Sequence, residues 1–395
     1  MCWPMPDGAT PDARTLRTAD ALVSAGLITP GGRDAAAAVA RRYAVAVTPA
    51  MRALISPGFD RRIAPGFDRA NDCANEPGLD RAIEPRIDPG NDPGNSWLDD
   101  PIARQFLPDP AELITAPHES PDPIADQALT PIKGVVHRYA DRALLKPLLV
   151  CPVYCRFCFR REQVGPDGGL LSDAELAAAY DWFRARPAIR EVILTGGDPL
   201  MLSPRRLREI VAALSAIPHI ETLRVHTRVP VADPERLTPA LAHALETAKS
   251  MWLVVHANHA REFTDAARAA LRRVLARGIP LLGQSVLLRG VNDSEAALEA
   301  LFRAMLTARV KPYYLHQLDP APGTARFHVP IQEGRRLLAG LRGRVTGLAW
   351  PTYVLDLPGG HGKVPIGPDY FDPDGHVRDL EGRRHAPGGQ SEGRG

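Results

Sequence analysis

Cys151, Cys155 and Cys158 fall within eight residues, in the stretch CPVYCRFCFRRE (151–162), and Arg160 and Arg161 follow directly. The chain has five cysteines, so three of them are committed to one C-x3-C-x2-C loop. Such spacing is too tight for a disulfide framework and one ligand short of a closed tetrahedral zinc site. A fourth zinc ligand such as His137 is the competing reading, yet structural zinc sites more often join two separated knuckles, and the sequence has no second one. Iron–sulfur clusters normally take four thiolates. Three thiolates on a four-iron cluster leave one iron open to a small molecule, and the loop reads as such a site.

A second group is Gly196-Gly197-Asp198 in TGGDPL (195–200), which taken alone is an ordinary turn. Thr227 and Arg228, then His256, Asn258 and His259, and then Asp319 are further polar residues placed after apolar runs. The last group is DLPGGHGKVP (356–365). It is not a nucleotide phosphate loop, because Val364 stands where that motif needs Ser or Thr. Two readings remain: a glycine-rich turn before a solvated lysine, or Lys363 held at a loop tip, ready to bind the carbonyl of pyridoxal 5′-phosphate (PLP).

These residues need a scaffold, and the sequence suggests one. Six short apolar runs read as strands: ALLKPLLV, EVILTG, TLRVHT, MWLVVHA, PLLGQSVLL and KPYYLHQ. Helical segments separate them. Ser172 and Glu175 have capping-box spacing, Ser203–Pro204 and Thr238–Pro239 supply N-caps followed by proline, and TDAARAALRRVLARG ends in Arg and Gly as a helix C-terminus prefers. Six βα units predict a parallel sheet, either doubly wound or curled into a barrel. Each chemically unusual group follows a strand, and in a parallel barrel the carboxyl ends of the strands form the face that carries chemistry.

The rest of the chain sets the bounds. Its 395 residues carry a formal net charge of +2, which argues against a nucleic-acid or membrane-surface partner. No apolar run is long enough to span a bilayer, and the start has no signal-peptide pattern. An odd cysteine count without such a pattern points to a reducing cytoplasm. Residues 1–55 read as a helical region. PGFDR then occurs at 57–61 and 65–69, and PGLDR at 77–81, marking 56–97 as a repetitive insertion expected to be disordered, with Cys73 incidental within it.

The motifs together carry a resemblance. C-x3-C-x2-C after the first strand, paired with TGGDPL, resembles the radical S-adenosylmethionine (SAM) superfamily. With HRYADR (137–142), QSVLLRGVND (284–293), KPYYLHQLDPAPGT (311–324) and DLPGGHGK, the stretch from about residue 100 to 371 closely resembles the lysine 2,3-aminomutase family. The resemblance implies an α/β fold: a partial (β/α)6 radical-SAM-type barrel at 136–350, with a lead-in at 98–135, a PLP-lysine segment closing the barrel at 351–378 and a disordered tail at 379–395. It implies a 4Fe–4S cluster on Cys151, Cys155 and Cys158, with SAM met by Gly196, Gly197, Asp198 and His256. Lys363 would hold PLP, Arg142 its phosphate with Arg138 assisting. Arg160 would take the substrate α-carboxylate, and Asp319 and Asp356 its distal ammonium.

The implied reaction moves the 2-amino group of L-lysine to C3 by way of a 5′-deoxyadenosyl radical, giving β-lysine, with a flavodoxin or ferredoxin as electron donor. Long-tailed members bind a zinc between subunits through extra cysteines. Here Ser294 follows the GVND string and no cysteine lies beyond Cys158, so no structural zinc is expected and a homo-oligomer is left open. Other readings are β-lysine formation for modifying a translation elongation factor, an aminomutase for another amino acid, and a non-catalytic iron–sulfur electron-transfer or binding protein.

Overall fold

The computed structural model describes residues 14–55 and 99–386; the expected 56–97 insertion, Cys2 and Cys73 lie outside them. A nine-stranded sheet runs in sequence order. Strands β1 (Val135–Tyr139) and β2 (Arg142–Leu148) form an antiparallel hairpin. From β2 the sheet is parallel through β3 (Glu191–Gly196), β4 (Thr222–Thr227), β5 (Ser250–His256), β6 (Leu281–Val286), β7 (Val310–His316) and β8 (Thr352–Leu357). Strand β9 (Gly362–Pro365) returns antiparallel to β8. The six expected strands are all present, and β8 is a seventh parallel strand that the sequence reading missed. It lies in the segment read as a closure, and only its pairing with β7 reveals it.

The helices start where the caps predict. Ser172 and Glu175 form the capping box of Asp173–Arg184, and Ser203, Thr238 and Thr264 cap Pro204–Ser215, Pro239–His243 and Asp265–Leu275. Their apolar stripes meet the outer face of the sheet, where Ala143, Leu145, Val192, Leu194, Leu223, Val225, Leu253 and Val255 join one core. Strand residues alternate between faces. The inner face therefore receives Lys146, Thr195, Arg224, His226, His256, Gln284, Tyr314, His316 and Asp356. In most barrels that face is filled with branched apolar residues. Here it is polar, which suits a chamber rather than a core.

Two details close the structure around that chamber. The open side between β1 and β9 is bridged by side chains: the Lys363 amide donates to Tyr139 Oη at 2.8 Å, and Arg138 Nη1 donates to Asp356 Oδ1 at 3.1 Å. The N-terminal helices Ala19–Ser24, Arg33–Arg42 and Pro49–Leu54 share a second core with Phe106, Val153 of the cysteine loop and Ala232. At the other end, Val377–Arg378 pairs antiparallel with Arg384–His385, and this small hairpin over 377–385 extends into the 379–395 tail expected to be disordered; 387–395 lie outside the described residues.

Candidate active site

The cysteine loop leaves the carboxyl end of β2 and is fastened from below by charge. Arg156, between the second and third cysteines, is almost fully buried and donates from Nε to both oxygens of Glu112 at 3.0 Å and from Nη1 to the Ala44 carbonyl at 2.7 Å. Arg161 reaches the same Glu112 and stacks on Tyr43, 3.6 Å from the ring centre. Burial opposes ionisation of Glu112, but these guanidinium groups overcome it and leave its carboxyl below the usual range. Local turns shape the loop, with Cys158 N donating to the Cys155 carbonyl at 3.1 Å and Arg161 N to the Cys158 carbonyl at 3.2 Å, and residues far away in sequence hold it in place.

The three thiols are half-buried, and Arg228 Nη1 donates to Cys155 Sγ at 3.0 Å. Burial raises all three thiol pKa values, that of Cys158 to about 11; the Asp198 carboxylate and then the neighbouring sulfurs raise Cys151 further, and Cys155 raises Cys158. Metal coordination reverses this by deprotonating the thiols outright. Three thiols of one loop, with an arginine donor on Cys155, fit an iron–sulfur cluster held by thiolates.

The GGD motif docks on the approach to that loop. Gly197 N donates to the Leu148 carbonyl at 2.8 Å and Asp198 N to the Val150 carbonyl at 2.9 Å. A Cβ on Gly197 would lie 2.4 Å from Val150 O, and Gly196 has a φ of +109°, so both positions require glycine. Asp198 differs from its expected role. Its Oδ1 accepts from Thr227 Oγ1 (2.7 Å) and Leu200 N (3.0 Å), and its Oδ2 from Arg228 N (2.7 Å) and Val229 N (3.1 Å). A carboxylate has about four acceptor sites. All are used, so Asp198 ties β3 to the turn after β4 and has none left for a cofactor ammonium.

His256 ends β5, with its ring edge-on to Phe157 at 5.9 Å. Its Nε2 is buried without a hydrogen-bond partner, as are those of His226 and His316, also on inner-face positions. Burial drives all three well below the usual histidine value, so they stand neutral around the chamber.

Lys363 is not at a loop tip. It sits in β9 directly opposite Asp356 of β8, and its Nζ donates to Asp356 Oδ2 and lies 3.5 Å from His316 Nδ1. Asp319, just beyond β7, faces the same place. Burial and then the Asp356 charge push its carboxyl up to about 7. Arg142 is held by Asp141 at 2.7 Å and stacks on Tyr139, 3.8 Å from the ring centre. It reaches Lys363 indirectly, through Tyr139. An amine, flanking aromatic rings and an arginine beyond them fit PLP.

Arg160 points into the chamber, and its Nε donates to Asp126 Oδ2 at 2.7 Å. Asp126 was missed from sequence. It lies in a loop without periodicity, yet it is buried and gathers Arg160, Arg138 (3.6 Å) and Lys146 (4.0 Å). Lys146 carried a usable signal, since a lysine interrupts an otherwise apolar strand.

A family model for the radical SAM superfamily matches residues 145–301, which defines the class. A second model, for lysine-2,3-aminomutase, matches 338–378. The L-lysine 2,3-aminomutase of Clostridium subterminale is 39% identical over 288 residues, covering 72% of this chain and 69% of its own. That of Acetoanaerobium sticklandii is 38% identical over 288 residues, covering 72% and 70%. A glutamate 2,3-aminomutase of Clostridioides difficile is 34% identical over 272 residues, covering 69% and 64%. Among solved structures, a radical SAM methyltransferase from Sphaerobacter thermophilus covers 56% of this chain and 68% of its own at 23% identity, with a TM-score of 0.39, too loose a superposition to bear on the site. The chain belongs to the lysine 2,3-aminomutase family of radical SAM enzymes, and it is an isomerase.

Proposed function

We propose that the enzyme converts L-lysine to β-lysine, using a 4Fe–4S cluster on Cys151, Cys155 and Cys158, SAM, and PLP on Lys363. The observation that carries the substrate is the pair Asp319 and Asp356 inside the barrel. Asp356 already receives an aliphatic ammonium in this structure, that of Lys363. When Lys363 is engaged with PLP its charge leaves Asp356, which can then take the distal ammonium of a lysine-length substrate, with Asp319 beside it.

SAM at a cluster held by Cys151, Cys155 and Cys158 would supply a carbon radical able to remove an unactivated hydrogen, and PLP on Lys363 would supply the carbonyl chemistry that engages the migrating amine. The chain's own residues do the rest. Arg160, braced by Asp126, takes the α-carboxylate, while the two aspartates grip the far end, so substrate length is measured between fixed charges. The chamber's neutral histidines offer ring nitrogens without adding positive charge. Arg138 joins Asp356 to Asp126, linking both ends of the substrate pocket. Gly196 and Gly197 offer backbone to SAM while seating the loop that carries the cysteines.

The glutamate enzyme among the relatives makes another amino acid the second reading. Two carboxylates in a chamber disfavour a distal carboxylate, because a like charge would meet them unpaired. Supply of β-lysine for elongation factor modification would use the same site and differs in the acceptor of the product. A reducing cytoplasm and a flavodoxin or ferredoxin donor belong to this proposal. The test is anaerobic incubation of reconstituted protein with SAM, PLP, a reductant and a panel of amino acids, followed by product analysis. Lysine is expected to give β-lysine and glutamate or alanine to give nothing; the reverse pattern overturns the substrate. Borohydride reduction should attach the pyridoxyl group to Lys363, and finding it on Lys133 or Lys146 would reject that assignment.

A further inference from the structure

Lys146 is a lone lysine within the apolar run of β2. Alternation on β2 sends it to the inner face, and its side chain is 10% exposed. Gly196 makes room for it: a Cβ there would lie 2.8 Å from Lys146 Cβ. Among the described residues Lys146 Nζ makes no hydrogen bond, and the nearest carboxylate oxygen, Asp126 Oδ2, stands 4.0 Å away. That oxygen already accepts from Arg160 Nε at 2.7 Å. Two cations therefore share one carboxylate oxygen, with Arg138 3.6 Å from the other, and Arg160 keeps guanidinium donors to spare beyond a long contact with Thr195 Oγ1 at 3.4 Å.

Charge in the chamber is out of balance. Arg138, Lys146, Arg160 and Lys363 face Asp126, Asp319 and Asp356, and Asp319 is itself only partly ionised near neutral pH. Burial, and then the neighbouring Arg160, disfavour the charged form of Lys146. Placing an unpaired ammonium beside a guanidinium in a desolvated space is costly unless an anion joins them. An anion between Lys146 and Arg160 would relieve both.

We propose that Lys146 and Arg160 form a two-cation clamp for an amino-acid carboxylate, with the substrate α-carboxylate as its occupant. The clamp rests on the assignment of an amino-acid substrate to this chamber, and it makes Lys146 a substrate-binding residue. The methionine end of SAM carries the same chemistry, so the test separates the two.

Wild type, Lys146→Met and Lys146→Arg are compared as reconstituted holoenzymes. Three quantities are read: KM for L-lysine, Ki for 1,5-diaminopentane (the same chain without its carboxylate), and SAM affinity by equilibrium binding. Loss of one charge-assisted contact should raise the lysine KM of the Met variant on the order of tenfold to a hundredfold. The diaminopentane Ki and SAM affinity should not move, and the Arg variant should recover most of the loss. If SAM affinity falls instead, the clamp stands and its occupant is the methionine carboxylate. Equal losses for lysine and diaminopentane, or no change in KM and SAM affinity, overturn the proposal. Should the wild type bind no lysine, the substrate assignment fails, while the SAM measurement still reads Lys146 independently.

Discussion

The charge on Asp319 should report the arrival of an ammonium. Burial first and the Asp356 carboxylate second raise its pKa to about 7, so in the empty site about half the molecules hold it protonated at neutral pH. An ammonium docked between the two carboxylates favours the ionised form and returns Asp319 toward the ordinary value of about 4. Protonation then competes with the ligand as pH falls through 7. Linkage makes the apparent lysine affinity fall with pH below the Asp319 range, by up to about tenfold per pH unit, with close to one proton released per lysine bound at the acid end. The interior histidines lie well below this window and do not blur it. Asp319→Asn should abolish the pH dependence and, at pH 8, weaken lysine by about tenfold to a hundredfold through loss of a charge-assisted bond. The sign for stability is opposite. A carboxyl whose folded pKa is raised contributes stability at low pH that is lost as pH rises toward 7, so the empty Asn variant should melt higher than wild type at pH 8. KM profiles from pH 6 to 8, with calorimetry in buffers of different ionisation enthalpy, measure both. A lysine KM that is flat from pH 6 to 8, or equally sloped in the Asn variant, would refute the reasoning.

Other consequences are open to direct measurement. Replacing Cys151, Cys155 or Cys158 with Ala should remove the iron chromophore or SAM cleavage. Gly197→Ala forces a Cβ to within 2.4 Å of Val150 O, and overpacking of about 1–3 kcal/mol or more should lower Tm together with iron content per chain. Glu112→Gln leaves Arg156 and Arg161 buried without their counter-charge; a loss of about 3–5 kcal/mol in denaturant unfolding is expected, and an unchanged midpoint would show that the guanidiniums find other partners. Asp356→Asn should cut lysine turnover sharply while SAM binding stays intact.

Much of this protein could be read from local order. Ser172 and Glu175 cap a helix because their partners lie three residues apart, and six strands showed as apolar runs between such helices. Three cysteines within one turn of chain announce thiolate chemistry before any fold is known, because their proximity is covalent. Other features came only from the folded chain. Strand β8 exists as a sheet member through its ladder to β7, and Lys363 left its expected loop tip because β9 pairs back on β8 and sets it opposite Asp356. Asp198 showed as an acid in a motif, but its commitment depends on donors about 30 residues away after β4. Asp126 gave no signal, since a loop residue has no period, and it meets Arg160 across 34 residues. Sequence shows which side chains carry charge and which face of a strand they share. Whether that face is packed or hollow is decided by how far the sheet curls, and that curvature turns Lys146 from an anomaly in an apolar strand into a charge aimed at a ligand.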